Sequence, residues 1–182
     1  MENFKKYTKE EIKSIEYDHI KIRNDSWHRY LLNMLPDYSN TKFSFINTKG
    51  GLGYTAPWER DGDRLRHEGL RYKGIPTPEV WTHELWHYFT NPALVEYKNS
   101  IQNKTICHVH ALNFTEGMIK LYEGSKKFGY SPINGVSVHD NLNEFVVNIT
   151  NERSVDELKR IGIFDEYFII QNKWMKSIGG GR

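Results

Sequence analysis

The amino-acid sequence predicts an α+β fold, with helices toward both ends of the chain and a small sheet between them. Three observations carry this expectation. Apolar residues recur at helical spacing before residue 36 and again beyond residue 77. Residues 42–73 change to strand-like alternation punctuated by glycine turns. No repeat, low-complexity tract or Gly/Ser-rich linker divides the 182 residues, so a single domain spanning 1–182 is expected.

Each element has a local reason. Thr8-Lys9-Glu10-Glu11 opens an amphipathic helix with Ile12, Ile15 and His19 on one face, and a second helix covers Ser26 to Leu35 before Pro36. Phe43, Phe45 and Asn47 then alternate with Ser44, Ile46 and Thr48. Gly50-Gly51 and Asp61-Gly62 mark turns, and Leu70-Arg71-Tyr72 reads as a short strand. Thr77 is suited to cap a helix that has Pro78 at its first position and Glu79 in its first turn. Asn91-Pro92 predicts its end, because the residue before proline is pushed out of the α region. A helix from Ala93 to about Ile101 follows, then a β-like stretch from Thr105 to His110. Further helices are expected over Thr115–Lys127, Asn141–Thr150, Ser154–Ile161 and Phe164–Ile178, with Gly129-Tyr130-Ser131-Pro132 as a break and Gly179-Gly180-Gly181 as a frayed end.

Composition narrows the function classes. Formal net charge is +2, and the densest basic stretch, Arg60 to Lys73, also holds Asp61, Asp63 and Glu68, so no nucleic-acid footprint is read. The one cysteine, Cys107, excludes an intrachain disulfide and fits a reducing compartment. Met1 to Glu11 is charged without an apolar core, and no run reaches membrane-spanning length, so a soluble, cytoplasmic protein without a membrane partner is expected. Aromatic residues make up 14% of the chain, enough for a core built around rings or a cleft lined with them.

Inside the helix that follows Thr77, His83-Glu84-Leu85-Trp86-His87 spells H-E-x-x-H. Residues i and i+4 share a helix face roughly 6 Å apart along the axis, so both imidazoles can reach one Zn²⁺. The carboxylate directly after the first histidine faces the open side of such a metal, where a general base acts on water. Val80, Trp81, Leu85, Trp86, Tyr88 and Phe89 make the rest of this helix apolar. Two histidines and a glutamate are costly to bury there unless a cation compensates them.

Catalytic zinc needs a third protein ligand. Thr90, Asn91 and Pro92 follow the motif, so the H-x-x-G-x-x-H continuation of metzincins is absent. A carboxylate from elsewhere is expected, with two candidates. In Thr115-Glu116-Gly117, Thr115 can cap a helix, Glu116 falls in its first turn, and Gly117 permits close approach. In Asn143-Glu144-Phe145-Val146-Val147-Asn148, Glu144 and Asn148 stand one turn apart, so a ligand and a supporting partner share a face. His108 and His110, at i and i+2, read as a partly buried strand pair.

The His83–His87 motif followed by Glu116-Gly117 resembles the gluzincin type of zincin metallopeptidases, with Thr115 where those families usually carry Asn. The Glu144 segment is similar to the glutamate helix of other zincins and ranks second. The resemblance implies a zincin-like fold, in which a small twisted, mostly antiparallel sheet packs against the H-E-x-x-H helix with further helices C-terminal. It also implies a zinc-dependent peptidase acting on protein or peptide substrates: His83, His87 and Glu116 hold Zn²⁺, and Glu84 is the general base. His139 is the expected oxyanion stabiliser, with Tyr130 competing. The alternative is a non-catalytic binding protein on the same scaffold.

Overall fold

The structure, a computed structural model, describes residues 10, 26–38, 43–45, 53–55, 59–61, 64–66, 70–72, 78–103, 108–128, 141–148 and 152–181. The helix expected around Ile12, Ile15 and His19 therefore lies outside the described residues, apart from Glu10. The chain folds into two compact units, with junctions inside two helices, between Leu32 and Asn33 and between Tyr88 and Phe89, and a third between Pro36 and Asp37. One comprises Met1–Leu32 and Asp37–Tyr88; the other comprises Asn33–Pro36 and Phe89–Arg182.

The first unit holds most of α1 (Ser26–Met34), five strands and the start of α2 (Pro78–Asn103). The strands are β1 (Phe43–Phe45), β2 (Gly53–Thr55), β3 (Glu59–Asp61), β4 (Arg64–Arg66) and β5 (Leu70–Tyr72). β5 pairs parallel with β1, Leu70 opposite Phe43, and antiparallel with β2, Tyr72 opposite Gly53. β3 and β4 form a separate antiparallel pair.

These pairings correct the expected α+β, zincin-like class. Each strand has three residues, a span of about 10 Å. The 26 residues of α2 extend about 39 Å, several times the length of any of these strands. Strands this short cannot form the layer that covers such a helix, and the described chain is built chiefly of helices.

The second unit is helical: the rest of α2, then α3 (Val109–Lys127), α4 (Asn141–Val147), α5 (Glu152–Arg160) and α6 (Phe164–Ser177). α3 and α6 form its principal packing pair. Ala111, Phe114, Thr115, Met118, Leu121, Tyr122 and Ser125 recur at three- and four-residue steps as the buried face of α3. Tyr167, Gln171, Trp174 and Met175 do the same on α6. Phe114 stacks on Trp174 at 5.3 Å between ring centroids.

Three local expectations are also corrected. Asn91-Pro92 does not end the helix, because α2 runs through Pro92. Proline removes one rung of the ladder, but the neighbouring carbonyls are held from outside. The Trp174 indole Nε1 donates to the Phe89 carbonyl at 2.7 Å, and the Thr115 hydroxyl donates to the Ala93 carbonyl at 3.3 Å. The β-like reading of Thr105–His110 fails at its end, where Val109 and His110 already belong to α3. A remote acid caps that helix, since the Glu96 carboxylate accepts the backbone N–H of His108. Finally, the terminal glycines are not frayed. Gly179 takes a positive φ of 98°, and Gly179 and Gly180 donate to the Lys176 and Met175 carbonyls, closing α6 with a Schellman turn. A Cβ on Gly180 would strike the Met34 carbonyl, so this position accepts glycine alone.

Among the described residues, no helix is long and apolar enough to cross a membrane.

Candidate metal centre

The first part of α2 is buried nearly all round, with Trp81, Leu85, Trp86 and Thr90 inaccessible or nearly so. Helical spacing brings the two imidazoles of the motif together inside it. His83 Nε2 and His87 Nε2 are 3.0 Å apart, with the rings edge-to-face at 4.6 Å between centroids. His87 is 0% exposed and His83 half-buried. Glu84, the next residue along, is 4% exposed.

A third donor completes the group. His83, His87 and Glu144 each offer one ligand atom, and these atoms all lie within 4.8 Å of one another. Glu144 is itself 8% exposed. This group can hold a metal ion. Nitrogens each bound to one tetrahedral Zn²⁺ at 2.0–2.1 Å stand roughly 3.3 Å apart, so the imidazole pair needs only a few tenths of an ångström of adjustment. Two imidazoles and one carboxylate, with coordination positions left over, suit a first-row divalent ion such as zinc. A cation there also offsets the cost of burying the Glu144 carboxylate, which is 8% exposed.

The structure does not bring Glu116 to this group. α3 begins at Val109 rather than Thr115, so Glu116 falls in the second turn instead of the first. Helical phase then turns Thr115 and Met118 inward and leaves Glu116 exposed. Glu144, ranked second from the sequence, is the carboxylate that meets the pair. His139 and Tyr130 lie outside the described residues. His108 and His110 are exposed at the start of α3, 5.1 Å apart between ring centroids, instead of partly buried on a strand.

Sequence reasoning passed over Gln171, a fully buried amide on α6. The signal was present: it is the polar member at the i+4 position of the aromatic stripe that starts at Tyr167.

No protein-family model, curated protein or solved structure matches this chain.

Proposed function

We propose that the protein is a zinc-dependent hydrolase acting on peptide bonds, with His83, His87 and Glu144 as the metal ligands. The convergence of these three donor atoms within 4.8 Å supports the reading, and so does the acid placed directly after the first histidine. A bound Zn²⁺ supplies Lewis acidity toward a carbonyl and lowers the pKa of a coordinated water to about 7. His83 and His87 bind as neutral imidazoles, and α2 fixes their spacing before any metal arrives. Glu84 accepts the proton of the attacking water and returns it to the leaving amine. Its burial raises the strength of that interaction by excluding competing solvent. The substrate on this reading is a protein or peptide. The single cysteine accords with residence in the cytosol.

Elemental analysis of the purified protein tests the proposal, together with peptide hydrolysis before and after chelation. About one zinc per chain is expected in wild type and none in His83→Ala, with hydrolysis lost on chelation and restored by zinc. A wild-type protein without zinc, or one whose hydrolysis is indifferent to chelator, overturns it.

A further inference from the structure

We infer that Gln171 is a positioning residue for the metal centre, fixing the segment that carries Glu144; the inference rests on the metal reading above. α4 has seven residues, too few to hold a helix by propensity alone. Packing must therefore set its position. Phe145 is fully buried between the Tyr122 ring of α3 at 5.4 Å and the Tyr167 ring of α6 at 5.3 Å. Ring contacts seat the segment by shape and edge-to-face geometry, but they leave the carbonyls at its C-terminal end unsatisfied.

A directional contact supplies what the rings do not. The Gln171 amide nitrogen donates to the Val146 carbonyl, one of the C-terminal carbonyls of α4 that have no partner within the helix. The same nitrogen lies 3.3 Å from the Tyr167 hydroxyl, which orients the amide from its own helix. Gln171 is 0% exposed, and its Oε1 has no hydrogen-bond partner among the described residues. An apolar residue of similar length would fill this place without that desolvation cost. The amide is accounted for by what it holds: Val146 is two residues beyond Glu144, so the bond fixes the turn from which the carboxylate projects.

The test measures two quantities on the full-length protein: zinc affinity, by competition with a chromophoric chelator, and the melting temperature without metal. Gln171→Met keeps the side-chain length and removes the amide. Its zinc dissociation constant should rise by several-fold, up to about tenfold: the loss of a group bonded directly to a ligand costs about 10–100-fold, and Gln171 acts one step further out, through the Val146 carbonyl. Gln171→Glu, which presents an oxygen where a donor is needed, should show the same weakening. A purely structural role would lower the metal-free melting temperature and leave zinc affinity where it was. Should neither variant fold, Tyr167→Phe removes only the hydroxyl beside the amide, and a smaller rise in the dissociation constant is expected. Unchanged affinity in every folded variant overturns the inference alone. Wild-type protein that binds no zinc overturns the metal reading, and the inference with it.

Discussion

The histidine pair of α2 and the glutamate of α4 reach the same small volume by different routes. His83 and His87 are neighbours because any α-helix makes residues four apart neighbours, and their nitrogens stand 3.0 Å apart. Glu144 sits on a seven-residue helix whose placement depends on Tyr122, Tyr167 and Gln171, contributed by two other helices. The first half of the centre is a property of local backbone geometry. The second half is a property of packing, and it is the half that substitutions far away in the sequence can disturb.

Four substitutions probe this contrast, in descending order of effect. Glu84→Gln should cut peptide hydrolysis by roughly 10²–10⁴-fold while zinc content, measured by elemental analysis, stays at the wild-type level. Zinc lost together with activity would mean that Glu84 holds the site together instead of serving as its base. Glu144→Ala should weaken zinc binding by about 10–100-fold or more, since it removes a ligand where outer partners alone are worth that much; chelator competition reads the change. Trp174→Phe keeps the stack on Phe114 but removes the donor to Phe89, and urea denaturation should show a loss of about 1 kcal/mol. Glu116→Gln should change neither zinc affinity nor stability beyond about 0.5 kcal/mol, as for other exposed positions. A fall in zinc affinity there would return Glu116 to the centre and displace Glu144.

The division between local and distant causes also decides what could be read in advance. The meeting of His83 and His87 was legible because residues four apart share a helix face; the part of Glu84 as base belongs to the proposal. The third donor of the group was not legible. Both Glu116 and Glu144 follow plausible helix starts, and they separate only once the start of α3 at Val109 sets the helical phase. That start is concealed in sequence because its cap comes from Glu96 on the preceding helix. Pro92 misled for the same reason, as the groups that hold its neighbours belong to α3 and α6. The strands near Phe43 and Leu70 do occur. Their three-residue lengths were the unreadable part, and length decides whether paired strands become a layer.

Pro92 leaves α2 with a joint that the surrounding helices clamp. The Trp174 clamp on Phe89 lies two residues beyond His87, so the tail of the chain anchors the very rod that presents both imidazoles. Releasing that grip would leave the Phe89 carbonyl without its outside donor just past the second imidazole, so the docking of α6 and the integrity of the rod beyond His87 stand or fall together.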